Sequence, residues 1–260
     1  MIYKLTHPEE AAPLFAGWEE TILWSCLSGV MGEILAGTPQ APVSAAAVLG
    51  DFRFFAGEPS RELALLPPAE GGSGFFIAAA REGGWLSLLD ECWGGRACPT
   101  VRYATKKEPG VFDPAHLEAA AASLPHGYRL EKIGPELFRR CKALPWAADL
   151  AGQYRDYACY RRYGLGVVVT RAGEPVSGAS SYSGWPGGIE IEIDTREDHR
   201  RRGLAYAAGA ALILACLERG WYPSWDAQNL GSVALAEKLG YHYSHAYTAV
   251  EIWGWQSASG

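Results

Sequence analysis

The segment from Gly188 to Gly220 leaves the chain little choice of local structure. Gly188-Ile189-Glu190-Ile191-Glu192-Ile193-Asp194-Thr195 alternates apolar and acidic side chains, the period-two signature of a strand with one buried face. Leu204 to Leu217 consists largely of Ala, Leu and Ile, lacks Pro, and runs into Glu218-Arg219-Gly220, which reads as a buried helix stopped by Gly. Between them Glu197-Asp198-His199-Arg200-Arg201-Arg202-Gly203 forms a turn that carries arginines and ends in Gly at the helix entrance. The first turn of a helix presents unpaired N–H groups and partial positive charge, and a glycine there lets an anion approach the backbone. Phosphate suits such a junction. The pattern is neither the dinucleotide fingerprint, since G-x-G-x-x-G is absent, nor a P-loop, since no G-K-[ST] follows.

Downstream, Tyr222-Pro223-Ser224-Trp225-Asp226-Ala227 reads as a short strand, and Asn229 to Tyr241 as a helix with Asn229 as N-cap and Gly240 just past its end. Arg200-x-x-Gly203-x-Ala205, followed by a long helix, a strand, and a helix running from Asn229 to Lys238-Leu239-Gly240-Tyr241, resembles the pyrophosphate-loop region of the GNAT acyltransferase superfamily. The resemblance spans roughly Tyr128 to Ile252. The Glu-Ile-Glu-Ile-Asp-Thr strand and the Pro-Ser-Trp-Asp-Ala-Gln-Asn segment are similar to a two-domain bacterial group that includes zwittermicin-resistance-type acetyltransferases. It implies an α/β (α+β) protein with the GNAT acyl-CoA N-acyltransferase fold in residues 126–260, preceded by a smaller α+β domain, residues 1–125.

On the matching positions the resemblance implies a cofactor site for acetyl-CoA. The amides of Arg201, Arg202, Gly203, Leu204 and Ala205 would hold its pyrophosphate, helped by the Arg200 side chain. The backbone of Ile193, Asp194 and Thr195 would run beside the pantetheine arm, and Asn229 and Ser232 would contact the lower arm or its phosphate. The implied reaction carries an acetyl group from the thioester to a primary amine of a small molecule. Glu192 and Glu190 are the candidate catalytic bases, with Glu192 slightly favoured. Strict alternation instead makes Glu190, Glu192 and Asp194 a solvent-facing acidic stripe, unless a bulge in their strand re-aims them. The family's general-acid Tyr is replaced by Ala236, so Tyr241, Tyr243 or Tyr206 would serve, or the thiolate would leave unassisted from a thiol of pKa about 8.5. That replacement sustains an alternative: a non-catalytic acyl-CoA-binding regulatory or interaction module.

With 260 residues, 48% hydrophobic and 20% charged, the composition is that of an ordinary globular protein. The net charge of −6 argues against nucleic acid as the main partner and is neutral about small cationic substrates. No apolar run reaches the roughly 20 residues a bilayer span needs, and the start lacks a signal-peptide h-region, so a cytoplasmic protein without membrane contact is expected. The 6 cysteines are scattered without C-x-x-C or metal-ligand spacing, and His242-x-x-His245 on a strand aims its rings apart, so no metal is expected. A homodimer is left open.

In the first half the sequence predicts a helix over Glu9–Ala16 and a strand over Thr21–Leu27. A long strand or strand pair follows over Pro42–Phe55, bent at Gly50-Asp51. Next come a helix over Arg61–Leu66, a turn at Gly71-Gly72-Ser73, a strand over Gly74–Ala79, a helix over Trp85–Cys92 and a strand over Thr100–Ala104. This succession echoes the second half without its Arg/Gly loop, either as a degenerate copy or as an unrelated α+β domain. Asp113-Pro114 starts a connecting helix, and Leu124-Pro125-His126-Gly127 is the expected domain boundary. Beyond it the sequence predicts a strand over Tyr128–Ile133 and helices over Pro135–Lys142 and Ala147–Tyr163. The second helix carries Tyr154, Tyr157, Tyr160 and Tyr163, read mainly as core. A hairpin over Gly166–Tyr182 carries Ser177, Ser180, Ser181 and Ser183, expected mostly to face solvent.

Overall fold

The computed structural model describes residues 1–67 and 74–254, so the expected Gly71-Gly72-Ser73 turn lies outside the described residues. Residue contacts divide the chain into two units, Met1–Arg102 with Ala246–Gly260, and Tyr103–His245. The first series of elements is β1 (Tyr3–Lys4), α1 (Thr21–Leu27), β2 (Glu33–Ala36), β3 (Ser44–Leu49), β4 (Phe52–Gly57), α2 (Arg61–Ala64), β5 (Phe76–Ala80), α3 (Gly83–Trp93) and β6 (Ala97–Thr105). A second series follows α4 (Pro114–Ala121): β7 (Tyr128–Lys132), α5 (Pro135–Ala143), α6 (Tyr157–Tyr163), β8 (Gly166–Arg171), β9 (Glu174–Trp185) and β10 (Gly188–Thr195). It continues with α7 (Leu204–Glu218), β11 (Tyr222–Ser224), β12 (Asp226–Ala227), α8 (Leu230–Lys238) and β13 (Tyr243–Ile252). Among the described residues no helix is long and apolar enough to cross a membrane.

The two series share one topology. Strands β1-β2-β3-β4-β5 are neighbours in that order in the first, and β7-β8-β9-β10-β11 in the second. In both, the first three pairings are antiparallel and the last, β4 with β5 or β10 with β11, is parallel. Matched strand order is what a degenerate copy requires. The next pairings each draw on a distant part of the chain: β5 pairs antiparallel with Ala249–Ile252 of β13, whereas β12 pairs with Tyr103 and Ala104 at the end of β6. The expected boundary at Leu124–Gly127 therefore falls inside the second unit, where Leu117 and Ala120 of α4 join the core around α7.

That core explains the apolar run from Leu204. Helix α7 buries Leu204, Ala208, Leu212, Ile213 and Cys216 against Ile189 and Ile191 of β10 and Val167 and Val169 of β8. A helix apolar all round is one covered on most of its circumference. Gly209 allows the closest approach, since a Cβ there would stand 2.8 Å from Leu239 Cδ1 and 3.2 Å from Ile193 Cδ1.

Three expectations are corrected. Thr21–Leu27, read as a strand from its Thr, Ile, Leu and Trp content, is the helix α1, in which Ser25 Oγ donates to the Thr21 carbonyl 3.1 Å away. Thr21, Ile22, Leu23, Ser25 and Cys26 are all buried, so burial on several sides erased the helical period. Ala147–Tyr163 is not one helix but a short 3-10 turn, Ala148–Leu150, followed by α6. Asp156 restarts the helix as an N-cap, its carboxylate accepting from the Cys159 amide at 2.8 Å. The serines of β9 do not face solvent: Ser177, Ser180, Ser181 and Ser183 are fully buried. Tyr160 and Tyr154 hydroxyls meet Ser180 Oγ and Ser181 Oγ, each at 2.8 Å, which satisfies the buried hydroxyls and confirms both tyrosines as core. A strand covered on both faces loses the alternation that separates inside from outside.

Candidate functional site

Strands β10 and β11 run parallel for three pairs, Gly188↔Tyr222, Ile189↔Pro223 and Glu190↔Ser224, and then part. The chain beyond Ser224 turns to pair as β12 with β6, so the β10 edge past Glu190 is left without that neighbour and a wedge opens. The wedge holds a 90 Å³ cleft lined by Ile191, Glu192 and Ile193 from β10, Trp225 and Asp226 from the departing strand, and Gln228 and Ser232. Glu190 sits at the apex, buried, with Oε1 accepting from the Asp226 amide at 2.7 Å. Its carboxylate thus takes over the amide that the parting strand would otherwise leave unpaired. Beside it in register, Ser224 is fully buried, and its Oγ makes no hydrogen bond among the described residues.

The bulge that would re-aim these carboxylates is not in β10; the irregularity between Glu190 and Ile191 lies in β9. Glu190 is opposite Ser183 and Ile191 opposite Ser181, so Tyr182 is the extra residue. Strand β10 keeps its alternation, with Ile189 and Ile191 in the core and Ile193 packed against it, and with Glu190, Glu192 and Asp194 on the other face. That face is not a solvent-facing stripe: Glu190 is buried and Glu192 and Asp194 are half-buried. Burial raises the Asp194 carboxyl above its ordinary value and nearby Asp149 adds to this, against the Thr195 amide and Arg200, which lower it.

At the end of β10 a second cleft of 460 Å³ is lined by Thr195, His199, Arg200, Arg201, Gly203, Leu204, Ala205, Tyr206, Leu235 and Lys238. Gly203 is the N-cap of α7 with φ +78°, no side chain caps the helix, and a Cβ on Gly203 would meet nothing within 4 Å. Arg201, at φ +59°, is also left-handed, a conformation that costs a non-glycine residue roughly 1–3 kcal/mol and recurs at ligand-holding loops. The turn is braced from behind. Arg196 grips Asp198 through two nitrogens at 2.7 and 2.9 Å, Arg202 donates to the Asp198 carbonyl at 3.0 Å, and the buried His199 meets the Tyr128 hydroxyl through Nδ1 at 3.0 Å.

The larger cleft thus gathers Thr195, Arg200, Arg201, Gly203, Leu204 and Ala205, and the smaller one Glu192, Ile193 and Ser232. Arg202 is turned away toward Asp198 and Tyr128. Asn229 caps α8, its Oδ1 accepting from the Ser232 amide at 2.9 Å, and lines neither cleft. Asp194 also lies outside both, its Oδ1 accepting from the Thr195 amide at 2.6 Å while Arg200 Nε donates to the Thr195 carbonyl at 3.0 Å. Thr195 therefore has both main-chain groups engaged, which leaves Ile193 as the residue available to an extended ligand. None of Tyr206, Tyr241 and Tyr243 lines the smaller cleft. Tyr241 is a core residue whose hydroxyl donates to the Pro223 carbonyl at 2.6 Å, and burial pushes its pKa well above the usual phenol value. Sequence reasoning did not assign Ser224, Trp225, Asp226 and Gln228 to the site, although the segment that holds them carried part of the family resemblance. It also passed over His199, Leu235 and Lys238.

Burial holds His199 below its ordinary value of 6.5; Asp198 opposes this, and Arg196, Arg202 and Arg171 add to the depression. The neutral ring is the form the fold favours, so its stabilisation is present above pH 6.5 and is lost as pH falls through the depressed value. Thermal midpoints should fall on going from about pH 7 to about pH 5, and His199→Gln should flatten that slope. An unchanged slope in the variant would exclude His199 as the group responsible.

A model of the GNAT acetyltransferase family matches residues 12–250. A GCN5-related N-acetyltransferase-like protein from Streptococcus suis 89/1591 is 44% identical and superposes with a TM-score of 0.89 over 95% of this chain and 98% of its own. The Uncharacterized N-acetyltransferase YdfB of Bacillus subtilis (strain 168) is 32% identical over 127 residues, 48% of this chain and 48% of its own, so that match spans about half the length of each. A tandem GNAT protein from the clavulanic acid biosynthesis pathway shares the fold, with a TM-score of 0.54 at 12% identity over 96% of this chain and 98% of its own.

Proposed function

The chain belongs to the GNAT acetyltransferase family, and from that premise we propose that it transfers the acetyl group of acetyl-CoA to a primary amine of a small, cationic acceptor. The observation that carries this reading is the parting of β10 and β11 after Glu190↔Ser224, which sets Glu192 in a cleft on the same strand that leads into the uncapped start of α7. The residues present fit acetyl-CoA: a left-handed glycine with open space before it, arginines at the helix entrance, and a strand edge that has lost its neighbour. Acetyl-CoA supplies the acyl group activated as a thioester. The first-turn amides around Gly203, with Arg200 and Arg201, hold the anionic end, and the free edge of β10 at Ile193 aligns the extended arm.

An alkylamine of pKa about 10.4 must lose a proton to attack, which at pH 7 costs about 4.6 kcal/mol. Glu192, in the wall of the wedge, accepts that proton directly or through a water. Acidic Asp226 in the same cleft and Asp194 on the same strand face attract a cationic acceptor. The test is release of free thiol from acetyl-CoA when purified protein meets a panel of primary amines. Thiol release with at least one amine is expected; normal cofactor binding with no release across mono-, di- and polyamines would favour the second reading. That reading, an acyl-CoA-binding module without catalysis, draws on the buried Ala236 and the lack of a tyrosine in the smaller cleft.

A further inference from the structure

Strand β7 is the last strand of its sheet, with β8 on one side and no strand on the other. Its register with β8 is unbroken from Tyr128↔Arg171 to Lys132↔Val167, and the Ile133 amide continues the ladder by donating to the Gly166 carbonyl at 2.9 Å. In an antiparallel pair the main-chain groups of alternate residues point to alternate sides. Those of Arg129 and Glu131 therefore face β8, as Ile133 does, and those of Tyr128, Leu130 and Lys132 face outward. The Tyr128 amide is used, donating to the Pro125 carbonyl at 3.2 Å, whereas the amides and carbonyls of Leu130 and Lys132 have no partner among the described residues.

We propose that this edge joins the same edge of a second copy of the chain, two β7 strands pairing antiparallel about a two-fold axis at Leu130. Tyr128-Arg129-Leu130-Glu131-Lys132 complements itself in that register, because Leu130 meets Leu130 and each Arg129 meets a Glu131. The two Leu130 residues exchange main-chain bonds, and each Lys132 amide reaches the Tyr128 carbonyl of the second copy. Arg129 and Glu131 then take the non-hydrogen-bonded positions, where opposed Cα atoms stand about 4.5 Å apart and side chains come closest. Both are exposed and, two residues apart, share one face of the strand. A hollow of 640 Å³ lined by Arg129, Glu131, Thr170, Ala172 and Gly173 among others leaves room beside them. Thr170 already orients Glu131, its Oγ1 donating to Oε1 at 2.5 Å, and Arg129 has no ion pair or side-chain hydrogen bond of its own among the described residues.

Charges on an edge strand commonly keep other strands away. Here they select a register. A slip of two residues, the smallest that preserves the bonding, sets Arg129 against Arg129 or Glu131 against Glu131, so the centred register is the one that pairs unlike charges.

Sedimentation velocity of the full chain, from about 1 to about 200 µM, tests this. A dimer with a dissociation constant on the order of 10 µM is expected, because an edge of 5 residues buries less than a standard interface. Arg129→Glu and Glu131→Arg each set like charges together at both ends of the pairing and should each weaken the dimer at least about tenfold. Arg129 is exposed and unpaired, so its reversal leaves the fold intact. Mixed in equal amounts, the two variants should form a heterodimer within about threefold of the affinity of the unaltered protein, since every pair is again unlike. An unaltered protein that stays monomeric throughout, a dimer indifferent to Arg129→Glu, or folded variants that stay apart when mixed would each overturn the proposal.

Discussion

Glu192→Gln should lower kcat by about 10²–10⁴-fold and leave CoA affinity within about twofold, because it removes the proposed proton acceptor and alters neither the loop nor the helix proposed to hold the cofactor. Glutamine is isosteric, so the wedge keeps its shape. At the apex, Glu190 is spoken for by the Asp226 amide at 2.7 Å, and Glu190→Gln, which keeps an acceptor oxygen, should leave kcat within about tenfold. The pH profile separates a lost base from a misplaced one. Without a base the enzyme depends on the fraction of acceptor already neutral, which rises tenfold per pH unit below a pKa of about 10.4, so the variant should recover activity steadily from about pH 7 to about pH 9. The unaltered enzyme should rise less steeply. A kcat that survives Glu192→Gln at pH 7 would remove Glu192 from the mechanism and turn attention to Asp226, which shares the cleft.

Where structure is fixed by neighbours in the chain, the sequence was legible. Asn229 caps α8 and Asp113 caps α4 through their own carboxamide or carboxylate oxygens, Gly203 and Gly220 take the left-handed conformations on either side of α7, and Ala172-Gly173 turns the β8–β9 hairpin. Each depends on a few adjacent residues. Pairing partners were not legible, because a short extended run such as Tyr222–Ala227 carries no label saying which strand it joins. Its first half pairs with β10 and its second with β6, and the switch between them is what opens the wedge. The bulge at Tyr182 and the role of Glu190 follow from that switch and were equally hidden.

The first unit shows what the fold does when those local signals are missing. Its parallel pair β4–β5 continues through Phe52↔Ile77 to Phe55↔Ala80 without parting. Its α2 is one turn long and is capped by Ser60, whose hydroxyl accepts from the Leu63 amide. Arg53 of β4 lies buried, its guanidinium 3.7 Å over the Phe76 ring and bonded to the carbonyls of Leu66 and Pro67. The absent Arg/Gly loop was visible in the sequence. The shared strand order was visible only as an echo in the succession of strands and helices.

Gly203→Val should weaken CoA binding by about 10²–10⁴-fold while the protein remains folded. Two costs combine. At φ +78° a β-branched residue is strained by roughly 1–3 kcal/mol, which destabilises the entrance of α7. The side chain would also project into space that is now clear to 4 Å, the space through which an anion reaches the first-turn amides. Losing two charge-assisted hydrogen bonds of about 1.5–3 kcal/mol each accounts for the expected range. Gly203→Ala is the graded control: its Cβ meets no protein atom, so it reports backbone strain almost alone and should weaken binding by about tenfold. Arg200→Ala should fall nearer Gly203→Ala, because that side chain already spends its Nε on the Thr195 carbonyl. Thermal midpoints measured beside each titration separate a damaged fold from a blocked site. A folded Gly203→Val protein that binds CoA as tightly as the parent would show that the cofactor is held elsewhere, and the assignment of the loop, of the arm along Ile193 and of Glu192 as base would fall with it.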